Sequence, residues 1–347
     1  MIDDNLLIRG DNIIGLQWLI DNGYAGKIDL VYIDPPFATG GTFGVDKSGR
    51  IATISKSNDS DVAYTDTLKG KEFIEWLRLR AELLHTLLSE RGSLYLHIDY
   101  KIGHYVKVML DEIFGMENFR NDITRIKCNP KGFFRIGYGN IKDMILFYSK
   151  GPNPIWNDIQ IKCAEDDIAK RYNKIDEKGR RYTTVPIHAP GETKNGTTSQ
   201  CFRGVYPPKG RHWRSSIEEL ERLDDLGLIE WSAKGNPRKI NYADDHLTKK
   251  QQDIWEYKDP AYPTYPTEKN MDMLKYIVQN SSNEDSIVLD CFCGSGTTLL
   301  AADACGRSWI GIDQSPIAIK TTIERISSKG LFSKGFKFLE LDQLFSI

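Results

Sequence analysis

Residues 287–298 read IVLDCFCGSGTT. The stretch starts as an apolar strand, passes through a Gly-Ser-Gly turn and enters the alanine-rich segment 299–304, which is predicted to be helical. Glycines let the backbone approach a ligand closely, and the N–H groups at a helix start can donate to it. The order of strand, glycine turn and helix therefore predicts a cofactor-binding unit of a doubly wound α/β sheet.

A second short strand, residues 309–313, ends in an acidic residue about 20 positions further along the chain. Doubly wound folds place a carboxylate at this point against ribose hydroxyls, so Asp313 is a candidate cofactor ligand. A nicotinamide oxidoreductase could use a similar turn. The turn lacks the complete Gly-x-Gly-x-x-Gly spacing of that class, and nothing else in the sequence indicates hydride chemistry.

An acid, two prolines and an aromatic residue follow another apolar run, residues 28–33; they are Asp34, Pro35, Pro36 and Phe37. Proline has no backbone N–H and a fixed φ, so the prolines end the strand and leave carbonyl oxygens free to accept hydrogen bonds. A planar amino group could donate to these oxygens and to Asp34, while Phe37 stacks on its ring. Alone, the motif equally describes a strand-ending turn; with the cofactor motif it predicts a site for an amine-bearing ring.

Together these elements resemble the beta class of S-adenosylmethionine-dependent DNA amino-methyltransferases, in which the Asp-Pro-Pro-aromatic motif precedes the cofactor motif. The resemblance covers nearly the whole chain, and further similar elements lie at residues 9–12, 92–99, 142–150 and 265–269. Two positions depart from the family pattern. Glu268 replaces the usual Gln, and Arg80-Ala81 stands where the family commonly has Arg-Leu.

The resemblance implies an α/β fold with a Rossmann-like methyltransferase sheet, mostly parallel and circularly permuted, and an inserted smaller target-recognition domain. It divides the chain into a catalytic half at residues 1–150, a target-recognition domain at 151–258 and a cofactor-binding half at 259–347. The sequence agrees with this division, because strand and helix patterns alternate in the first segment and lose their alternation in the second. Residues 40–61 are rich in Gly, Ser, Thr and Asp, and we expect a mobile loop there.

The implied reaction is methyl transfer from S-adenosylmethionine to N6 of an adenine flipped out of duplex DNA. Hydrogen bonds to the Asp34 carboxylate and the Pro35 carbonyl would localise the amine lone pair, and Phe37 would stack on the base. The catalytic residues are therefore expected to be Asp34, Pro35, Pro36 and Phe37. In this family Asp at the head of the motif favours adenine N6 over cytosine N4, and cytosine C5 methylation would need a Pro-Cys dipeptide that the chain lacks.

The resemblance also assigns the cofactor ligands. Asp11 would contact the adenine of the cofactor, Asp313 the ribose, and Thr267 and Lys269 the methionine carboxylate. The methionine portion would lie against Asp290, Phe292, Gly294, Ser295, Gly296 and Thr297. The alternatives are ordinary structural roles, with Asp11 and Thr267 as helix N-caps and Lys269 as a surface charge. His97 and Asp99 are interpreted as polar residues at a sheet end and are not expected to be catalytic.

Positive charge is concentrated in one part of the chain. The net charge is −2, yet residues 120–214 hold 19 Lys and Arg against 9 Asp and Glu, leaving 27 against 39 elsewhere. Such a segment can neutralise DNA phosphates, although a solvated basic surface without a partner is the alternative. Within it we predict DNA contacts by Arg211, His212, Trp213 and Arg214.

Composition restricts the remaining possibilities. No apolar run approaches the ~20 residues that a bilayer requires, and the acidic start is unlike a signal peptide, so we expect a cytoplasmic protein without a membrane partner. The 6 cysteines include no Cys-x-x-Cys spacing, which argues for reduced thiols and against a metal site. A homodimer and a companion restriction endonuclease are left open. The rival functions are cytosine-N4 methylation, methylation of RNA or of a protein amide, and DNA binding by a catalytically decayed module.

Overall fold

The structure is a computed structural model that describes residues 5–36, 42–46, 51–53, 60–65, 70–130, 132, 136–193, 196–260, 268–329 and 335–341. Its α-helices are α1 (Asn12–Leu19), α2 (Gly70–Leu87), α3 (Gly103–Phe114), α4 (Glu165–Arg171), α5 (Ile217–Asp225), α6 (Met271–Ser281), α7 (Thr297–Ala304) and α8 (Pro316–Lys329). Its strands are β1 (Asn5–Arg9), β2 (Ile28–Ile33), β3 (Thr42–Asp46), β4 (Ile51–Thr53), β5 (Ser60–Thr65), β6 (Leu88–Ile98), β7 (Phe119–Ile126), β8 (Lys142–Ser149), β9 (Gln160–Lys162), β10 (Lys174–Ile175), β11 (Arg181–Pro186), β12 (His188–Pro190), β13 (Arg211–Trp213), β14 (Ile229–Trp231), β15 (Pro237–Tyr242), β16 (Thr248–Lys250), β17 (Ile254–Trp255), β18 (Ile287–Asp290), β19 (Ser308–Asp313) and β20 (Phe336–Glu340).

The larger of two compact units comprises Met1–Ile159 and Gln251–Ile347. Its main sheet has the strand order β17-β7-β8-β6-β2-β18-β19-β1-β20. All neighbouring pairs are parallel except those made by β8, which runs antiparallel to both β6 and β7. The predicted α/β class with a mostly parallel methyltransferase-like sheet is therefore confirmed.

The sheet is covered by amphipathic helices whose apolar residues recur at helical spacing. Helix α2 buries Phe73, Leu77, Ala81 and Leu84 in the core of the larger unit, together with β6 residues such as Leu94. The central strands β2, β18 and β19 are largely apolar and buried, as expected where both faces of a parallel sheet are covered. Burial of both faces fixes the strand register, and with it the positions of the residues that follow the strands.

The segment after the catalytic motif contains regular structure where the sequence predicts a loop. Within residues 40–61, β3 pairs antiparallel with β4, and it also pairs with β5, which begins at Ser60. The expectation of a loop was wrong for a local reason. β-branched residues such as Val45, Ile51 and Val62 favour extended backbone, although the Gly and Ser content of the segment is typical of a loop.

The smaller unit is Gln160–Lys250, inside the 151–258 segment that the sequence analysis delimits. It contains the antiparallel sheet β10-β11-β15-β14, the pairs β12-β13 and β16-β9, and helix α5, whose N-cap Ser216 accepts a hydrogen bond from the Glu219 N–H. Its buried core is formed by Ile187, Phe202, Trp213, Leu220, Leu223 and Ile229. Across the described residues of both units, no helix is long and apolar enough to cross a bilayer.

One glycine tests the packing of β2 against β6. A Cβ added at Gly92 would lie 2.8 Å from the Ile28 carbonyl oxygen and 3.0 Å from that of Ser89, and both are backbone atoms that cannot rotate away. We expect Gly92→Ala to lower the free energy of unfolding by about 1–3 kcal/mol, measured by urea denaturation. Gly132→Ala is the control, because an added Cβ meets no described atom within 4 Å. Equal stability of the two variants would contradict the close approach.

Candidate active site and cofactor cradle

The parallel pairing of β2 with β18 brings the two predicted motifs together. Val288 lies opposite Leu30, and Leu289 lies opposite Val31. Because the strands are parallel, the residues that follow them emerge at the same edge of the sheet, which is where ligands bind in open α/β folds. Asp34, Pro35 and Pro36 therefore lie beside the glycine turn, and Phe37 lies outside the described residues.

Asp34 has two oxygens in different surroundings. The Lys269 ammonium lies 2.5 Å from Asp34 Oδ2, and both side chains are largely buried. Asp34 Oδ1 is buried and has no hydrogen-bond partner among the described residues. A buried unpaired carboxylate oxygen is costly, so Oδ1 is ready to accept a hydrogen bond from a ligand. Lys269 is not the surface charge of the alternative interpretation, since its side chain is 11% exposed.

A buried histidine lies behind Asp34. His97 is fully buried, and its Nδ1 is 2.9 Å from the Tyr32 hydroxyl and 3.9 Å from Asp34 Oδ1. Its Nε2 is 3.3 Å from Asp143 Oδ2, while the Lys127 ammonium donates to Asp143 Oδ1 at 2.6 Å. From the sequence, His97 is expected to be a polar residue at a sheet end, and Asp143 is not singled out. The available signal was a titratable residue inside the buried run 94–98 of β6, which is rare without a partner.

The protonation states in this cluster follow from burial and charge. Burial lowers the pKa of His97, so the ring is neutral at neutral pH. Burial alone would raise the pKa of Asp143, but hydrogen bonds from His97 and Lys127 hold it well below its usual range. Burial, and then the charge of Asp34, raise the pKa of Tyr32 well above its ordinary value. Tyr32 therefore donates its O–H to His97 Nδ1, and His97 donates Nε2–H to Asp143.

The glycine turn forms the floor of the cofactor cradle. Gly294 and Gly296 have φ of +51° and +75°, a region that disfavours other residues. A Cβ at Gly296 would also lie 2.8 Å from the side chain of Thr322. The Gly294 N–H donates to Asp313 Oδ2 at 2.8 Å, and the Ser315 N–H donates to Asp313 Oδ1 at 2.8 Å. The turn and the predicted ribose ligand Asp313 thus lie side by side.

Arg325 of α8 fixes the other side of the turn and was missed by the sequence analysis. Its Nη1 donates to the carbonyl oxygen of Ser295 at 2.8 Å, to Ser295 Oγ at 2.7 Å and to Thr297 Oγ1 at 3.0 Å. Its Nη2 donates to Glu268 Oε1 at 2.6 Å. The departure of Glu268 from the family pattern therefore has a structural counterpart, because an acid at this position forms an ion pair with Arg325.

Asp11 lies at the start of α1 on the same side of the sheet. It is the N-cap of α1, accepting from the Ile13 N–H at 2.8 Å, and Arg80 Nη2 lies 3.7 Å from its other oxygen. Its side chain is 44% exposed, so the carboxylate can also reach a ligand. Asn12 connects the same corner to the cradle by donating to the Cys291 carbonyl at 3.2 Å. Phe292 is half-buried against Trp76, and Thr267 lies outside the described residues.

The four predicted DNA contacts lie in the smaller unit and differ in exposure. Arg211 and Arg214 are exposed, and His212 is half-buried. Trp213 is 1% exposed and its indole N–H donates to the Gln200 carbonyl at 2.9 Å. Trp213 therefore belongs to the core of the unit and cannot contact DNA as predicted; sequence alone did not distinguish a core indole from a surface one. No group of three His, Cys, Asp or Glu in the described ranges could hold a metal ion.

The ionisation of the buried Asp290 carboxyl makes the stability of the protein depend on pH. Burial raises the pKa of this carboxyl to about 7, while hydrogen bonds from Thr298 and the Phe292 N–H partly offset the effect, and the nearby Asp34 and Asp313 charges add to it. Its folded pKa thus exceeds the ordinary value of 3.8. The folded state then binds the proton more tightly than the unfolded state, so stability is fully present below pH ~4 and falls as the pH rises through ~7.

We therefore expect Asp290→Asn, which does not titrate, to gain stability relative to the natural chain as the pH rises from 4 to 8. The gain should amount to about 4 kcal/mol, as the shift from 3.8 to about 7 implies. Urea denaturation of both proteins across this pH range measures it. Parallel stability curves would show that Asp290 is not buried as a neutral acid.

Comparison with known proteins places these features among DNA methylases. The family model for DNA methylases of the N6 and N4 type matches residues 28–324. The Type II methyltransferase M.EcaI of Enterobacter cloacae is 41% identical over 333 residues, covering 94% of this chain and 70% of that protein. The DNA adenine methyltransferase YhdJ of Escherichia coli is 37% identical over 335 residues, covering 94% of this chain and 84% of that protein.

More distant similarities are found with a Type III restriction-modification protein and with a solved structure. The StyLTI Mod subunit, a Type III restriction-modification protein of Salmonella typhimurium, is 26% identical over 371 residues, and the chain spans 55% of its length. Among solved structures, the Thermus thermophilus protein TTHA0409 aligns with a TM-score of 0.50 at 14% identity, covering 96% of this chain and 99% of that one. That structural similarity concerns the fold.

Proposed function

Because the chain belongs to the DNA methylase family of the N6 and N4 type, we propose that it transfers the methyl group of S-adenosylmethionine to N6 of an adenine in duplex DNA. The observation that carries the proposal is the Asp34 carboxylate, which has one oxygen paired with Lys269 and the other unpaired. It stands at the same edge of the sheet as the glycine turn. A hydrogen-bond acceptor for an amine thus lies beside a cofactor cradle.

The donor set of the cradle fits S-adenosylmethionine. Gly294 and Gly296 adopt positive φ without strain, and neither has a side chain that could contact the cofactor. Asp313 offers a carboxylate to ribose hydroxyls, and Asp290 offers one to a cationic methionine portion. Ser295 and Thr297 are held by Arg325 rather than pointing freely. When bound, the cofactor supplies an electrophilic methyl group on a sulfonium.

The remaining chemistry belongs to side chains and backbone of this protein. Asp34 Oδ1 and the Pro35 carbonyl accept the two N–H bonds of the adenine amino group, so that the nitrogen lone pair turns toward the methyl donor. Lys269 pairs with Asp34 Oδ2 and orients the carboxylate. Extrusion of the base costs a few kcal/mol, which stacking on Phe37 would offset. No covalent intermediate with the enzyme is needed.

The choice of adenine over cytosine rests on two supports. The motif begins with Asp, and YhdJ, a relative at 37% identity, is named a DNA adenine methyltransferase. The second candidate is cytosine-N4 methylation, because the matching family model covers both amines. Digestion of methylated duplex DNA to nucleosides followed by mass spectrometry separates N6-methyladenine from N4-methylcytosine. Parallel incubation with RNA tests the rival substrate class.

The smaller unit, which lies within residues 151–258, is proposed as the target-recognition domain between the catalytic half (1–150) and the cofactor-binding half (259–347). Its own fold and exposed basic side chains such as Arg211 support this role. Relatives named as Type II methyltransferases and Type III Mod subunits support a place in a restriction-modification system. We also propose that the protein acts with a companion restriction endonuclease, forms a homodimer and resides in the cytoplasm, where bacterial DNA lies.

Asp34→Ala tests the proposed chemistry. The variant loses the acceptor for the amine, so we expect the rate of methyl transfer to fall by about 100-fold or more. Affinity for S-adenosylmethionine, measured by calorimetry, should change little, because Asp34 faces the base. Asp29→Asn is the control. Asp29 lies in β2, the strand that Asp34 follows, and its Oδ1 accepts from Ser89 Oγ at 2.7 Å, so full activity is expected. An active Asp34→Ala would refute the mechanism.

Arg211→Ala tests the recognition domain. Arg211 is exposed, and its Nη1 lies 3.1 Å from His188 Nδ1. If the guanidinium contacts a phosphate, the variant binds duplex DNA more weakly and lowers the slope of log K against log salt by about 1. The matched control is Arg222→Ala in the same unit, since Arg222 is already paired with Glu219 at 2.7 and 2.8 Å. Equal slopes for both variants would remove Arg211 from the DNA-contact set.

A further inference from the structure

We propose that His97 is a positioning residue that acts through Asp34, holding Nδ1 ready to receive the proton that the methylated amine must release. The inference rests on the proposed function. It concerns a step that the contacts of the base and the cofactor do not explain. Methylation of a neutral amine produces a cationic nitrogen, and the neutral product forms only when one N–H proton leaves.

The proton has a defined first acceptor. During transfer, the bond from sulfur to the methyl carbon breaks, its electron pair stays on sulfur, and the nitrogen lone pair forms the new bond to carbon. The N–H that donates to Asp34 Oδ1 then becomes acidic and can pass its proton to that oxygen. Lys269 occupies the other oxygen at 2.5 Å, so the proton is directed to Oδ1.

His97 is placed to accept the proton next. Its Nδ1 lies 3.9 Å from Asp34 Oδ1, about 1 Å beyond hydrogen-bond length, so a small rotation of the protonated carboxyl group closes the distance. The Tyr32 hydroxyl, 2.9 Å from Nδ1, must turn aside at that moment. Catalytic hydrogen bonds are often long before the substrate is bound and shorten in the reacting complex.

The surroundings of His97 suit a transient cation. The Asp143 carboxylate of β8 accepts from Nε2–H. Arg125 Nη1 of β7 and Nζ of Lys127, which directly follows β7, lie 3.5 and 2.6 Å from that carboxylate. The remaining charged neighbours are Asp34 after β2 and Lys269 before α6, while β2 itself contributes Tyr32. Asp143 stabilises the imidazolium, and hydrogen bonds from His97 and Lys127 keep Asp143 ionised. After product release the proton returns to solvent through Asp34, whose side chain is 16% exposed.

A histidine that accepts a proton and a purely structural histidine predict different behaviour. A ring that only fills space would tolerate replacement by a side chain of similar size. A ring that accepts a proton must be neutral before the reaction, so activity should fall as the pH drops through the His97 pKa, which burial places below the ordinary 6.5. Glutamine retains polarity and volume but cannot accept the proton at neutral pH.

The test compares single-turnover methyl transfer by the natural chain and by His97→Gln, with duplex DNA and saturating S-adenosylmethionine. The profile of Asp290→Asn is recorded alongside, because Asp290 also titrates near pH 7. We expect the rate constant of His97→Gln to fall by about 100-fold or more and its acid limb to disappear. Affinities for cofactor and DNA should be unchanged. The control is His85→Gln, because His85 packs against Phe114 with ring centroids 4.9 Å apart and should leave both rate and profile unaltered.

Chemical rescue supplies a second readout. His97→Gly leaves a cavity behind Asp34, and added imidazole should restore part of the lost rate, whereas it should not rescue Asp34→Ala. If both His97 variants fail to fold, nitrogen NMR of labelled histidine in the natural chain decides. A neutral ring protonated at Nε2 supports the inference, and a ring protonated at Nδ1 overturns it.

The outcomes separate the two proposals. If the natural chain transfers no methyl group to DNA, the proposed function fails. If the natural chain is active while His97→Gln keeps the full rate and the acid limb, only the role of His97 fails.

Discussion

The site depends on one interaction, the parallel pairing of β2 with β18. These strands lie more than two hundred and fifty positions apart in the chain, and the hydrogen bonds between them set Val288 against Leu30 and Leu289 against Val31. Each strand is buried on both faces, so its register cannot slip without exposing apolar side chains. The pairing therefore fixes how far Asp34 stands from the glycine turn, and no contact between the two loops is needed to hold them.

The same edge collects an excess of carboxylates that the protein must balance. Asp34, Asp290 and Asp313 all end or follow adjacent strands, and the mutual repulsion contributes to the raised pKa of Asp290. Lys269 compensates Asp34 directly, whereas the Asp313 oxygens are held by backbone N–H groups. Burial raises the pKa of Asp290 to about 7 and also raises the pKa of Asp313. The positive charge of a bound cationic cofactor would offset the remaining negative charge of these carboxylates.

Much of the architecture could be predicted from the sequence because it depends on local patterns. The apolar strand, the glycine turn and the acidic strand end define the cofactor unit, and the αβ alternation defines the sheet. The contacts of His97, Asp143 and Arg325 are made with partners far away in sequence, and no spacing rule connects them. Trp213 was misplaced for a related reason: an aromatic residue among arginines fits either a DNA contact or a core, and only the packing around Phe202 decides.

The reversed direction of β8 has a consequence for how such an enzyme can change. In a purely parallel sheet, only residues that leave strands at their carboxyl ends reach the reactive edge. Because β8 is antiparallel to its neighbours, its amino end lies at that edge. Asp143, near the beginning of β8, therefore reaches it. Substitutions at His97 and Asp143 can thus adjust the basicity behind Asp34 while every group that touches base or cofactor stays the same. Proton handling and substrate choice are left to evolve as separate traits.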